Sequence, residues 1–247
     1  MKTNKILLID GARQVGKTFI IRHVGKKMYD NFIEINMIED RLQNQLFKNV
    51  KTVEDFYLQV SMLAGSQMKE KENTLIFIDE IQAYPHLLTL LRFLSQDDKF
   101  TYIASGSLLD VTLSNTSSIP MGSIRKIRMC PLDFEEFIRV LGLNDLTLSI
   151  LENKFNHLET LDETMHDKMM DLFRKYLLVG GLPDVINTYL ETKNIQAVRE
   201  VQNEIYEYYK FIFYRIIYVF QNTGSESGLG KRKYAICHVL FSHDWSC

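Results

Sequence analysis

Along the chain, five runs of apolar, β-favouring residues alternate with stretches whose apolar positions recur at helical spacing. The runs are Lys5 to Ile9, Phe32 to Asn36, Thr74 to Asp79, Thr101 to Ser105 and Ile124 to Met129. The first four show little polar alternation, as in Leu75-Ile76-Phe77-Ile78, and a strand that is apolar on both sides is one covered on both faces. The pattern therefore predicts an α/β fold of stacked βαβ units, a parallel sheet with helices on both faces. Helices are expected from Lys17 to Lys27, from about Val53 to Lys69 and from Leu87 to Ser95, the last with Pro85 as a helix-start signal. Beyond Pro131, Asp133 can cap a helix while Glu136, three residues on, completes a capping box.

From about Leu143 to Phe220, Leu, Met, Tyr and charged residues recur at helical spacing, broken by Gly180-Gly181-Leu182-Pro183, which reads as a helix stop and restart. The expected organisation is a sheet domain over residues 1–141, a smaller helical region over 142–220, and a weakly ordered or aberrant tail over 221–247 whose composition turns to Gly, Ser, Lys and Arg. There is no internal repeat.

Length agrees with this division, since 247 residues hold one α/β domain plus an appendage. A formal charge of -2 gives no sign of a polyanion binder. Cys130, Cys237 and Cys247 are odd in number and scattered, unlike a disulfide framework, which fits a reducing compartment. The apolar run Ile6 to Ile9 near the amino terminus is too short for a signal peptide core or a membrane span, so a cytoplasmic protein with no membrane association is expected.

The candidate chemistry begins where the first strand gives way to the first helix. Gly11-Ala12-Arg13-Gln14-Val15-Gly16-Lys17-Thr18 has the spacing of a phosphate loop. Its glycines let successive backbone N–H groups point inward at a phosphate, and the following helix adds the positive end of its dipole. Lys17 can then reach the β and γ phosphates, and Thr18 offers a hydroxyl to Mg²⁺. The pattern arises by chance in a chain of this length on the order of one time in a hundred. Its place between an apolar strand and a helix is what makes it specific.

The third strand ends in Asp79-Glu80, and ligands of open α/β sheets bind at the carboxyl ends of strands. Asp79 is the expected second holder of Mg²⁺, and Glu80 the group that orients or deprotonates an attacking water. Such a pair points to hydrolysis more than to transfer of the phosphoryl group to a substrate. The fourth strand ends in Ser105-Gly106-Ser107, and Ser105 or Ser107 could reach the γ-phosphate or the water; ordinary turn chemistry accounts for them equally well. The expected site is thus Lys17, Glu80 and Ser105 in catalysis, Gly11 to Thr18 around the nucleotide, and Thr18 with Asp79 on Mg²⁺.

Together these segments resemble the AAA-type ATPases of the AAA_14 group. The likeness runs through Gly11 to Thr18, Phe32-Ile33-Glu34-Ile35-Asn36, Asp79-Glu80-Ile81-Gln82, Pro85, Ser105-Gly106-Ser107, Pro120-Met121-Gly122-Ser123, Pro131 to Phe137 and Gly180-Gly181-Leu182-Pro183. It implies a P-loop NTPase core of the RecA/AAA-like, additional-strand type, with ATP as nucleotide, and it carries the roles given above onto Lys17, Thr18, Asp79 and Glu80. Members of the group usually have a helical segment before the first strand and a C-terminal domain of unknown function, so this chain is expected to be a truncated or frame-shifted member whose residues beyond about Tyr209 are no longer a selected sequence. Expected partners are ATP or ADP and an unidentified protein or nucleic acid, with a homo-oligomer left open.

Three further constellations carry less. Arg125 and Arg128 flank the fifth strand, where an arginine could act as a finger toward a neighbouring subunit's nucleotide, although a solvated strand edge is the simpler account. Cys237, His238, His243 and Cys247 fit no common zinc spacing. No Asn-Lys-x-Asp segment follows the fourth strand, which speaks against guanine recognition. An ATPase coupling hydrolysis to a partner, a nucleotide-dependent switch with negligible turnover, and a non-functional fragment are the three readings that remain.

Overall fold

A computed structural model of the chain describes residues 5–65, 68, 73–107 and 122–223. Pro120, Met121 and the Cys237, His238, His243 and Cys247 constellation lie outside the described residues. The chain divides into two compact units, Met1–Asn187 and Thr188–Cys247.

The first unit is built on five parallel strands: β1 (Ile6–Gly11), β2 (Asn31–Asn36), β3 (Thr74–Asp79), β4 (Thr101–Gly106) and β5 (Ile124–Met129). Their spatial order is β2-β3-β4-β1-β5. Strand β4 thereby separates β1 from β3, which is the additional-strand arrangement that the resemblance implied. The connecting helices are α1 (Lys17–Met28), α2 (Met37–Leu42), α3 (Val53–Ala64) and α4 (His86–Asp97).

Register explains how the two faces of the sheet are filled. Ile33, Ile76 and Tyr102 lie side by side across β2, β3 and β4, as do Ile35, Ile78 and Ala104. These residues, with Ile6 and Leu8, form one buried cluster with Phe56 and Val60 of α3 and with Leu87, Leu91 and Leu94 of α4. The alternate residues face the other way, toward α1. There a Cβ on Gly25 would lie 2.5 Å from the ring of Phe32 and 3.1 Å from Leu75, so only a glycine lets α1 approach this closely. Every residue of β3 is buried, as a central strand covered on both faces requires. Strand β5 closes the sheet as an edge, and Arg125, Lys126, Ile127 and Arg128 are exposed there, which is why the fifth run alone did not read as continuously apolar.

Local signals set the helix ends. Thr52 and Asp55 form a capping box at α3, and Asp133 and Glu136 form the expected one at α5 (Phe134–Val140). Helix α3 stops at Ala64, short of the Lys69 that periodicity predicted. Gly65 follows it at φ 52°, a conformation that ends a helix and that glycine adopts without steric cost.

Further helices follow the sheet: α6 (Asp145–Asn156) and α7 (Glu163–Val179) lie in the first unit, α8 (Pro183–Thr192) begins in it, and α9 (Ile195–Thr223) lies in the second. The Gly180-Gly181-Leu182 break falls between α7 and α8, with Gly180 at φ 77°. Among the described residues, no helix is long and apolar enough to cross a membrane.

Candidate functional site

A parallel sheet brings the carboxyl ends of its strands to one edge, and the sequence candidates sit at that edge. Strand β1 ends in Gly11 at φ 155°, where a Cβ would lie 2.2 Å from the carbonyl oxygen of Met129 on β5. Only a glycine lets the loop leave the sheet so close to its neighbour. Gln14 at φ 63° and Gly16 at φ 91° then wind the backbone into α1, while buried Val15 pins the loop to the body of the domain.

The start of α1 shares with that of α4 the lack of a side-chain cap and of an acidic first turn. Gly16 provides no side-chain cap and the first turn carries no acidic residue, whereas α2, α3, α5, α6 and α7 all begin with a side-chain cap and an acidic first turn. The N–H groups and the positive dipole end of α1 thus have no acidic side chain of the first turn to cap them, and they adjoin a loop whose two glycines stand at positive φ. These donors suit a polyphosphate.

Lys17, the first residue of α1, is buried and turns back over the loop. Its Nζ donates to the carbonyl oxygens of Gly11 at 3.0 Å and Ala12 at 2.6 Å, and to Ser107 Oγ at 3.3 Å. Burial pulls its pKa below the ordinary lysine value of 10.5, while the carboxylates of Glu80, Asp79 and Asp10 oppose that shift. Asp10 is itself buried and paired with Lys126 of β5, Oδ2 to Nζ 3.1 Å.

Next to the lysine, Thr18 Oγ1 donates to Asp79 Oδ2 at 2.9 Å. The other carboxylate oxygen of Asp79 accepts from the backbone N–H of Glu80 at 3.0 Å and from the hydroxyl of Ser105. The hydroxyl at the head of α1 and the carboxylate at the end of β3 therefore meet across β4, and β4 supplies the serine that holds the carboxylate from the far side. A P-loop Mg²⁺ is held by one hydroxyl, one carboxylate and the phosphates of its substrate, with waters completing the shell, so it needs no cluster of protein ligands. Among the described residues there is none.

Glu80 follows directly, in the left-handed conformation at φ 53° and ψ 43°. A one-turn helix, Ile81–Ala83, carries the chain away from it, and Gln82 Nε2 donates to Glu80 Oε2. Below this turn lies a carboxylate that no sequence motif marks. Buried Asp40 of α2 accepts from the N–H groups of Leu46 at 2.9 Å and Phe47 at 3.2 Å and from the Tyr84 hydroxyl at 2.9 Å.

The structure thus brings Gly11, Gly16, Lys17, Thr18, Asp79 and Glu80 to one edge of the sheet. Of the two serines, Ser105 is fully buried and committed to Asp79, whereas Ser107 is the one in contact with Lys17. Arg125 and Arg128 are exposed on the β5 edge. The Gly180-Gly181-Leu182-Pro183 break also reaches this edge. Leu132 donates its N–H to the Gly181 carbonyl at 2.8 Å, Tyr176 donates its hydroxyl to the Leu132 carbonyl at 3.0 Å, and a Cβ on Gly16 would lie 3.7 Å from the Pro183 ring.

A family model described as an AAA domain, AAA_14, matches residues 3–138. Comparison with curated proteins gives no match. Among solved structures, the chain is similar to the Orc1 protein of Aeropyrum pernix, solved in complex with DNA, at 15% identity over 56% of this chain and 42% of that one, with a TM-score of 0.39. It is also similar to PCH-2 of C. elegans, at 16% identity over 82% of this chain and 62% of that one, with a TM-score of 0.43. The chain spans less than two thirds of the length of either protein.

Proposed function

The chain belongs to the AAA_14 family of AAA domains, and on that premise we propose that it is a Mg²⁺-dependent ATPase whose helical region, residues 142–220, transmits hydrolysis to a protein or nucleic-acid partner. The observation that carries this reading is the 2.9 Å hydrogen bond from Thr18 to Asp79, which joins the phosphate loop to the acidic strand end across an intervening strand. The residues there fit both the nucleotide and the metal. The N–H groups of Gly11 to Thr18 bind the phosphates, Lys17 exchanges its internal acceptors for phosphate oxygens, and Thr18 and Asp79 hold Mg²⁺. When bound, the metal supplies neutralisation of charge on the β and γ phosphates.

Glu80 takes the proton of a water whose oxygen bonds to the γ-phosphorus. The bond from that phosphorus to the β–γ bridging oxygen breaks, releasing ADP and inorganic phosphate. The committed hydroxyl of Ser105 keeps the Asp79 carboxylate in place, and Ser107, in contact with Lys17, is the better of the two serines for reaching the γ-phosphate.

Labelled ATP titration with phosphate release followed in the same sample tests the reading. Lys17→Ala is expected to lose nucleotide binding. Glu80→Gln is expected to bind ATP and hydrolyse it at least tenfold more slowly, and full turnover in that variant would remove Glu80 from its role. Binding without turnover in the unaltered protein would make it a nucleotide-dependent switch instead.

A further inference from the structure

Glu80 is the residue on which the proposed hydrolysis turns, yet its backbone and side chain are held in unequal ways. The backbone is fixed in a left-handed conformation at φ 53°, uncommon for a residue with a side chain, and the carbonyl accepts from the Ala83 N–H at 2.9 Å. Among the described residues the side chain has a single hydrogen bond, from the amide nitrogen of Gln82 to Oε2.

Asn36, at the end of the neighbouring strand and in register with Asp79, would be the natural second candidate to hold this carboxylate. Its Oδ1 accepts from the N–H groups of Ile38 at 3.0 Å and Glu39 at 3.2 Å at the head of α2, and its amide nitrogen makes no hydrogen bond to Glu80 among the described residues. Ser105 donates to Asp79 and Ser107 accepts from Lys17, and neither is hydrogen-bonded to Glu80 among the described residues. That leaves the amide two residues along the chain. The carbonyl end of the same amide, Gln82 Oε1, is buried with no hydrogen-bond partner among the described residues. A buried acceptor without a donor is destabilising. The amide therefore sits where its nitrogen serves Glu80 at the expense of its oxygen.

We infer that Gln82 is a positioning residue for hydrolysis: its side-chain amide fixes one carboxylate oxygen of Glu80 so that the other is directed at the attacking water. This inference rests on the reading of Glu80 as the water-activating group. The turn that carries Gln82 is rigid enough for the task. Tyr84 closes it, its N–H donating to the Ile81 carbonyl at 3.1 Å and its hydroxyl to Asp40, and Ile81 and Ala83 on either side of Gln82 are buried.

The test compares the unaltered protein, Gln82→Ala and Glu80→Gln in steady-state phosphate release, ATP titration and thermal unfolding. Gln82→Ala is expected to lower kcat about tenfold while KM, ATP affinity and the unfolding midpoint stay near those of the unaltered protein. A residue that merely supported the fold would move the midpoint and KM as well. In nucleotide-free protein, the side-chain amide resonances of Gln82 are expected to stand apart from those of a solvent-exposed glutamine and to move toward them in Glu80→Ala. Turnover that depends on Glu80 but remains within twofold in Gln82→Ala, or Gln82 amide resonances that ignore Glu80→Ala, would overturn this inference alone. Turnover that does not depend on Glu80 would overturn the parent reading and this inference with it.

Discussion

Strand β3 and the helices α6 and α7 occupy the same compact unit and are held in opposite ways. All six residues of β3 are buried, between α1 on one side and α3 and α4 on the other. Helix α6 buries none of its residues and α7 only Val179, while Phe155 of α6 is 78% and Leu158, in the turn that follows it, 91% exposed. Both regions contain large apolar residues, interspersed with charged ones in the helices but not in the strand ahead of Asp79. They differ too in the number of covered faces, and the carboxylates of the site stand at the end of the strand that has two. A catalytic group must be held within a fraction of an ångström, and a strand buried on both sides supplies that constraint where a helix lying open along most of its length does not.

The sharpest way to break the comparison is to hollow out the strand. Phe77, fully buried in β3, is expected to cost about 3–5 kcal/mol when replaced by alanine, read as a lower urea midpoint. A loss below 1 kcal/mol would mean that β3 is less constrained than its burial implies. A smaller effect is expected beneath the Glu80 turn. Tyr84→Phe removes one of three donors to the Asp40 carboxylate and should cost about 1.5–3 kcal/mol in the same measurement. No change there would place the turn with the loosely held half of the molecule. The smallest effect belongs to the open helices: Phe155→Ser is expected to shift stability by no more than about 0.5 kcal/mol. A larger loss would show that the face of α6 is covered in solution.

The sequence carried the elements better than the contacts. Strands β3 and β5 begin and end where their apolar runs do, because Asn73 and Glu80 bound the one and Cys130-Pro131 the other. Strand β1 runs on through Asp10 and Gly11, and its reason lies elsewhere in the chain: Gly11 pairs with Met129, so the strand ends where β5 does. Helix α2 escaped notice because six residues are too few to show a period, although Asn36 before Glu39 and Asp40 is a helix-start signal that could have revealed it.

The same contrast holds at the site. Gly11, Gly16, Lys17 and Thr18 are legible because phosphate binding by a loop imposes a local spacing. The partnership of Lys17 with Ser107, of Asp10 with Lys126 and of Asp40 with Tyr84 joins residues that no local pattern relates. The Gln82 contact with Glu80 lies two residues away and still left no signal, since the left-handed turn that brings the two together is invisible in residue types alone.

The strand order has a consequence for how the chain comes to be folded. Strand β1 is the first to be synthesised, yet its only neighbours are β4 and β5, which lie some hundred residues later in the chain. The contacts that join the site close spans of 61 residues from Thr18 to Asp79 and 90 residues from Lys17 to Ser107. While β2 and β3 can pair as soon as both have emerged, β1 must wait unpaired until Thr101 to Gly106 arrives to fill the gap between it and β3. The candidate site can therefore close only after the fourth strand has emerged. A nascent chain stopped short of Thr101 carries every residue of the phosphate loop with no strand beside it.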